Sequence, residues 1–508
     1  MLTIDMLKKL FFLLILFLYA QTFAETQVFR FQLLSTPESL NPAKINSNIS
    51  NYFFSQIFEG LYIYDNDKGL INKGAQSCEW QTKLKLVCKL NPKKRYNNGS
   101  KITAKDYVRS FRHLVDPNQY GRRVDLLFKL KNAQKIYDKK LPPQSLGVKA
   151  KEEYLLEFNF EEIDADFLYK LSSPVLVPWK KLPDPKNLNE LISNGPFQIK
   201  SWGLSKIVLE ANPNYDEKIS NITIEARIIN EDSSALNLYE TGLLDFLIRI
   251  PPDQISALKT RDDYITLPLA RFDYLGLNGD LEQFPKLREA MAYSLDYESF
   301  KTTFSALGRP GCPSMPESYF TKYPCYTYDL KKAKRLIEQV PIAIRKRRRK
   351  IYYSSSGGDI IKQTMEWFQH QWKKNLDLDF EIIPLEYKMM NAKLKEGLDG
   401  VFRRGIPLDR PSCLAGIENF HSESPENYLK LNNKDLDKKI ENLSQKIEND
   451  TKSLCTEAVQ DLLQQHRYIP LGRIHFSMLM KPKFKGWRLN ELNQLDLRKL
   501  RIEENKNK

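Results

Sequence analysis

The clearest alternation of apolar and polar positions begins at Phe197. Phe197, Ile199 and Ser201 alternate with Gln198, Lys200 and Trp202, the period of a strand with one buried face. A break at Gly203-Leu204-Ser205 leads to a more continuously apolar run, Ile207-Val208-Leu209, so the pair predicts a hairpin. Ser193-Asn194-Gly195-Pro196 leads into it as turn punctuation, because Gly accepts positive φ and Pro fixes its own φ and lacks a donor. Asn212-Pro213-Asn214-Tyr215 ends it. Residues 222–229 predict a third strand. Residues 233–241 carry helical spacing and stop at Gly242, a helix C-terminus, and 243–246 predict another strand. Strand, strand, strand, helix, strand is the opening of an α/β sheet domain.

The same reading extends along the chain. Residues 28–34 alternate as a strand, and 52–60 predict an apolar-faced helix closed by Gly60. Trp80, Leu84, Leu86 and Leu90 mark a second hairpin. After the Asn98-Gly99 turn, Thr103 is a good N-cap and Asp106 completes something close to a capping box. The helix 104–114 then lines up Tyr107, Val108, Phe111 and Leu114 on one face. A strand at 274–278, a helix opening at Pro285 and an amphipathic helix at 329–339 follow. Further strands are expected at 351–354, 379–385 and 400–403. Helices are expected at 360–375 and 391–397, with a helical region at 436–466.

The chain has 508 residues, too many for one core, so two or three lobes are expected. Hydrophobic residues at 42% and charged residues at 28% give a soluble globular balance. Lys8-Lys9, the apolar run 10–19 and the exit Thr22-Phe23-Ala24 mark residues 1–24 as a secretory signal peptide, with an apolar core too short to span a bilayer comfortably. The exit carries no Cys, so a lipid-anchored form is not expected. The formal net charge of +15 falls to about +14 once Asp5, Lys8 and Lys9 leave with that segment, a basic surface for an exported protein.

Export leads to an oxidising compartment, and the six cysteines are even in number. They allow fifteen connectivities. The pairing adopted is of sequence neighbours: Cys78 with Cys88 flanking the hairpin, Cys312 with Cys325 around a Pro-rich loop, and Cys413 with Cys455. Buried free thiols are the alternative for the last pair. No Cys-x-x-Cys suggests a redox dithiol or a thiolate metal site.

Catalytic chemistry is not written in the chain. None of His113, His370, His421, His466 and His475 forms a zinc-protease pattern, and no Gly-x-Ser-x-Gly is present. Ser256-Ala257-Leu258-Lys259 matches Ser-x-x-Lys, but the companion Ser-Asp-Asn and Lys-Thr-Gly elements are missing, so it is read as a helix face. No cofactor or metal is expected, and binding is favoured over an enzyme. The basic run 345–350 is read as a solvated edge at a strand entrance, with no nucleic acid as partner.

Several of these pieces recur in a fixed order. Phe58-Glu59-Gly60-Leu61 comes first, then Tyr96-Asn97-Asn98-Gly99 leading to Thr103-Ala104-Lys105-Asp106-Tyr107-Val108. Asn194-Gly195-Pro196-Phe197 with Trp202, Asn212 and Tyr215 follow, then Tyr239-Glu240-Thr241-Gly242-Leu243-Leu244-Asp245. Leu277-Asn278, the helix from Pro285 to Asp296 and Ile469-Pro470-Leu471 complete the set. The series resembles the signature of the solute-binding proteins of peptide ABC importers, the oligopeptide- and dipeptide-binding family, from about residue 28 to 490.

The resemblance implies an α/β, type II periplasmic-binding-protein fold: two mixed-sheet lobes joined by a hinge, with an extra inserted lobe. The expected division is 25–69 and 189–272 for lobe I, 70–188 for the inserted lobe, 273–482 for lobe II, and 483–508 for the return to lobe I and the tail. The implied function is a monomeric periplasmic substrate-binding component of an ABC importer. It would hold a short peptide in the inter-lobe cleft by strand addition and deliver it to a membrane permease. The alternative is a secreted non-transport binding or adhesion protein that keeps the fold.

The expected ligand residues lie in Arg403-Arg404-Gly405-Ile406-Pro407-Leu408-Asp409-Arg410-Pro411. Counted from Gly405, Asp409 matches the family Asp that receives a peptide's α-amino group, and Arg403 is placed to meet a ligand carboxylate bidentately. The sequence departs from the family at Ile406, where Trp is usual, and at Arg410, where Tyr is usual. It is also shorter before Pro411. Glu59 is read as a solvated helix-end carboxylate.

Overall fold

Two mixed sheets, of seven and five strands, organise the chain. The computed structural model describes residues 27–503 except 38, 46–47, 182–189, 305–309, 356–357, 447–450 and 474, so the expected signal peptide lies outside the described residues. The first sheet has seven strands, in the order Tyr264–Pro268, His475–Met480, Phe246–Leu247, Val28–Leu33, Thr223–Ile228, Lys206–Ala211 and Phe197–Trp202. The hairpin Phe197–Trp202 with Lys206–Ala211 forms as the alternation predicts. Helix Asp232–Glu240 stops at Gly242, whose φ of 75° lies in the left-handed region that Gly enters without penalty.

The second sheet has five strands, in the order Phe380–Leu385, Arg349–Ser354, Gly400–Pro407, Arg271–Asn278 and Tyr468–Pro470. The parallel pair Arg349–Ser354 and Phe380–Leu385 is joined by helix Gly358–Leu376, because parallel neighbours need a crossover long enough to return the chain. That helix anchors the core through Trp372, wholly buried, whose indole N–H donates to the Met291 carbonyl at 3.0 Å.

A third, four-stranded antiparallel sheet runs Ala75–Thr82, Lys85–Leu90, Leu155–Asn159 and Val148–Glu152. Helix Ala104–Val115 packs on it through Tyr107, Val108, Phe111 and Leu114. Asp106 accepts from the N–H and the hydroxyl of Thr103 at 2.8 and 3.1 Å, which fixes the start of the helix. This sheet and the seven-stranded sheet share one continuous apolar cluster, whereas the five-stranded sheet has its own.

The chain passes between the two large sheets along two adjacent segments. Tyr264–Pro268 and Arg271–Asn278 are separated by Leu269 and Ala270 alone. The return runs from Tyr468–Pro470 to His475–Met480. The crossings are paired with each other on both sides, Pro268 opposite His475 and Tyr274 opposite Pro470. Two short segments side by side make a hinge, since a few backbone angles there reorient one sheet against the other.

Several expectations shift: the strand expected at 243–246 is reduced to Phe246–Leu247, and the helix expected at 391–397 begins at Tyr387. The return to the first sheet comes at His475 rather than at 483, because Phe476, Met478 and Met480 supply a strand not read from the sequence. The first helix is Asn48–Ile57, with Gly60 beyond its end. The strand expected at 400–403 runs on through Pro407. The region 436–466 divides into helices Lys434–Gln445 and Lys452–Gln464. The cysteines form the bridges Cys78–Cys88, Cys312–Cys325 and Cys413–Cys455. The first joins residues directly opposite across the hairpin.

Candidate functional site

Strand Gly400–Pro407 passes from the middle of the five-stranded sheet to a free edge. On one side it pairs with Arg271–Asn278 along its whole length. On the other, Arg349–Ser354 pairs only with Val401 and Phe402. The Leu408 N–H donates to the Ala270 carbonyl at 2.9 Å, and the Leu471 N–H to the Asp273 carbonyl at 2.9 Å. Antiparallel strands alternate the side to which backbone groups point. Arg403, Gly405 and Pro407 therefore turn their backbone groups away from Arg271–Asn278. Past Phe402 no described strand pairs with that edge, and it offers the Gly405 N–H and the carbonyls of Arg403, Gly405 and Pro407. Pro407 has no N–H to offer.

Gly405 is required by its neighbour across the ladder. A Cβ there would overlap the Asp273 carboxylate and the Arg271 guanidinium. Asp273 is wholly buried, and Arg271 and Arg403 both donate to it, at 2.9 Å each. Burial opposes the charge on Asp273, but the two guanidiniums outweigh it and hold the carboxyl below its ordinary range. Arg403 is thus committed at one nitrogen. Its Nε–H has no partner among the described residues, and burial pulls its guanidinium below the usual arginine range despite Asp273. It retains donors for one more acceptor, and a carboxylate is the group its planar fork suits. Arg404, next along, donates to Asn391 at 2.8 Å and to Glu426 at 3.2 Å and stacks 5.0 Å over Tyr428.

Asp409 lies two residues beyond the strand and is already doubly paired. Arg123 donates to one carboxylate oxygen at 2.6 Å and Arg410 to the other at 2.8 Å. Burial works against the charge, yet Arg410 and Arg123 prevail and hold the carboxyl down at about 2. Arg410 also donates to Asp166 and to Glu418, at 2.6 Å each. Arg123 and Asp166 belong to the segment carrying the four-stranded sheet. These contacts, with Ser412 to Asp166 and the Ala165 N–H to the Ser444 carbonyl at 3.2 Å, join that segment to the five-stranded sheet. Arg403 and Asp409 therefore flank one free edge next to the hinge, each engaged with protein partners.

Glu59 corrects the reading of a solvated carboxylate. It is 4% exposed and accepts from Lys94 and Tyr215 at 2.5 Å each, and from Arg498 at 3.3 Å. Lys94 in turn meets Asp216 at 2.7 Å. The cluster ties the start of the chain, the four-stranded segment and the C-terminal return together. A small cavity of about 60 Å³ opens beside it, between Glu59, Tyr64, Ser172 and Arg498. The run 345–350 is likewise not uniformly solvated: Arg349 is 5% exposed and forks onto Asp280 at 3.1 and 2.8 Å.

Of the residues that shape the edge, Asp273, Arg271, Arg123 and Asp166 were not singled out from the sequence. Asp273 had a signal, an acid inside the apolar run Phe272 to Leu277. Arg123 and Asp166 had none, since they meet the edge only through tertiary contacts. Among the described residues no group of His, Cys, Asp and Glu is arranged to hold a metal ion, and no helix is long and apolar enough to cross a membrane.

Two lobes built on mixed sheets, two side-by-side crossings and a free sheet edge at their junction define a hinged binding protein of the type II periplasmic-binding-protein fold. The chain belongs to the bacterial extracellular solute-binding proteins, family 5, whose middle-region model matches residues 72–426. The oligopeptide-binding protein OppA of Bacillus subtilis is 25% identical over 393 residues, covering 70% of this chain and 71% of that protein. The probable deoxycholate-binding periplasmic protein YgiS of Escherichia coli is 24% identical over 503 residues and covers 92% of both. Among solved structures, the periplasmic murein tripeptide binding protein MppA in its unliganded open form superposes with a TM-score of 0.83 at 21% identity, covering 94% of this chain and 98% of that one. Listeria monocytogenes OppA bound to peptide superposes with a TM-score of 0.69 at 22% identity, covering 95% and 100%.

Proposed function

We propose that the protein is the periplasmic solute-binding component of an ABC importer, exported by a cleaved signal peptide and acting as a monomer. It captures a short peptide between its lobes and hands it to a membrane permease without transforming it. The observation that carries this reading is the free edge at 403–407. An extended peptide added there gains main-chain hydrogen bonds regardless of its sequence. Arg403 gives one terminal nitrogen to Asp273 and keeps its other terminal donors for a carboxylate beside the edge. Relatives described as oligopeptide-binding and murein peptide-binding support the ligand class.

Asp409 is the proposed ammonium partner, but it already neutralises parts of Arg123 and Arg410, so this anchor is weaker than a free carboxylate. The N-terminus of the peptide therefore contributes less than its C-terminal carboxylate. Calorimetry with a tripeptide, its N-acetyl form and its C-terminal amide tests this. The amide is expected to lose more affinity than the acetyl form, and Arg403→Gln should reduce the free-acid peptide to the level of the amide. No heat with any short peptide, together with no peptide released on denaturing the purified protein, overturns the reading.

A second reading rests on the same edge. Pro407 removes one donor, and Arg123 and Arg410 already occupy both carboxylate oxygens of Asp409, which leaves little there to hold an amine. Both suit a small anionic amphiphile, and one relative is described as a probable deoxycholate-binding protein. Deoxycholate in the same calorimeter separates the two: heat with deoxycholate and none with peptides establishes the second.

A further inference from the structure

The positive charge of this chain is concentrated in one place. Residues 71–181 hold 23 Lys and Arg against 12 Asp and Glu, a balance of +11 out of the whole chain's +15. Within this segment, helix Ala104–Val115 buries Tyr107, Val108, Phe111 and Leu114 on one side. Its outer side carries Lys105, Arg109 and Arg112, spaced by four and three residues and so aligned in one stripe. Beside it runs strand Val148–Glu152, the outermost of its sheet, with Lys149 and Lys151 exposed. Helix and strand together form an open groove of about 700 Å³ lined by Lys105, Arg109, Arg112 and Lys149.

The protein answers part of this charge: Glu157 lies opposite Lys149 across the ladder, and Arg112 donates to the Gln144 carbonyl at 3.1 Å. Arg109 donates to Asp106 and, at 2.8 Å, to the Trp179 carbonyl, and lies 5.5 Å over the Trp179 ring. Lys105, Arg112, Lys149 and Lys151 have no carboxylate within 4.0 Å among the described residues, and the Arg112 Nε–H is buried without a partner. Lysines on an outermost strand also discourage pairing with another chain, which accounts for Lys149 and Lys151. That does not account for the helix. Like charges one turn apart destabilise a helix slightly, so the stripe does not serve the fold.

We infer that this face is a docking surface for an anionic membrane, the phosphate headgroups of the bilayer that holds the permease. A pocket for one soluble phosphate needs enclosed, converging donors. Here Lys105, Arg109, Lys149 and Lys151 stand exposed along a helix and an outermost strand, with Arg112 half-buried between them, and that arrangement complements a plane of many phosphates. The surface lies on a different segment from the free edge at 403–407, so the inference does not depend on which solute is bound.

Co-sedimentation of the purified protein with vesicles tests it. Vesicles containing phosphatidylglycerol should retain the protein at low salt and release it at high salt, and pure phosphatidylcholine vesicles should not retain it. Each removed cation should cost roughly fivefold in partitioning, so the variant Lys105→Gln, Arg112→Gln, Lys149→Gln should lose about a hundredfold. A control with the same charge change on the five-stranded side, Lys331→Gln, Lys334→Gln, Arg335→Gln, should bind as the unaltered protein does. Equal binding to neutral vesicles, or an equal loss in the control, overturns the inference. So does retention that requires permease protein in the vesicle, or full release by millimolar inorganic phosphate at constant ionic strength.

Discussion

Replacing Asp409 by Asn should destabilise the protein at neutral pH and much less in acid. The carboxylate is 19% exposed and receives Arg123 at 2.6 Å and Arg410 at 2.8 Å. Its fall from 3.8 to about 2 is worth about 2 kcal/mol of folding stability. Removing one member of a buried pair often costs about 3–5 kcal/mol because the survivor is stranded. Here neither survivor is stranded. Arg123 keeps Asp125 at 2.9 Å, and Arg410 keeps Asp166 and Glu418 at 2.6 Å each, so the lower figure applies.

The pH dependence follows from the direction of the shift. A carboxyl that ionises more readily when folded contributes fully above its unfolded range, at about pH 4 and higher. The contribution fades as pH falls through about 2. Urea unfolding of both proteins at neutral pH and near pH 2.5 measures it; guanidinium would screen the pair under study. The expected loss is about 2 kcal/mol at neutral pH, and most of it should vanish in acid. A loss of equal size at both pH values, or none at neutral pH, would refute the assignment of Asp409 as the ionised centre of this pair of contacts.

Gly405→Ala should cost about 1–3 kcal/mol in urea unfolding, because the new methyl displaces the Arg271–Asp273 pair that lies over the glycine. Glu59→Gln should cost about 3 kcal/mol by the same measurement, at the low end for a buried pair because Lys94 keeps Asp216 and Arg498 keeps Asp496. Replacing Cys413 and Cys455 by Ser opens a loop whose ends are 42 residues apart, an expected loss of about 4 kcal/mol. The shorter span of 10 residues at Cys78–Cys88 predicts a smaller loss for the same change there, and differential scanning calorimetry orders the two.

Local structure was legible wherever a short stretch carried its own physical instruction. The hairpin at Phe197–Trp202 followed from alternation, the helix end at Gly242 from a residue that tolerates positive φ, and the start at Thr103 from two side chains three residues apart. The segment 403–411, proposed to hold the ligand, was singled out by its residues. Its extension as strand through Pro407 was not, since a ladder depends on the partner Arg271–Asn278 more than a hundred residues away. Glu59 shows the same division. A carboxylate at a helix end is ordinarily solvated, and nothing nearby in sequence says that Lys94, Tyr215 and Arg498 will close over it.

By itself the sequence determined most of the strands, helices and turns, which depend on neighbours within a turn or two of chain, together with the family signature and the balance of charge. Only the tertiary structure decided which edge of the five-stranded sheet stays open. It also decided that Asp409 meets Arg123 and that Lys149 comes to line one groove with Lys105, Arg109 and Arg112. Those outcomes depend on residues brought together across the fold, where burial and distance set the strength of each charge and spacing along the chain carries no information about either.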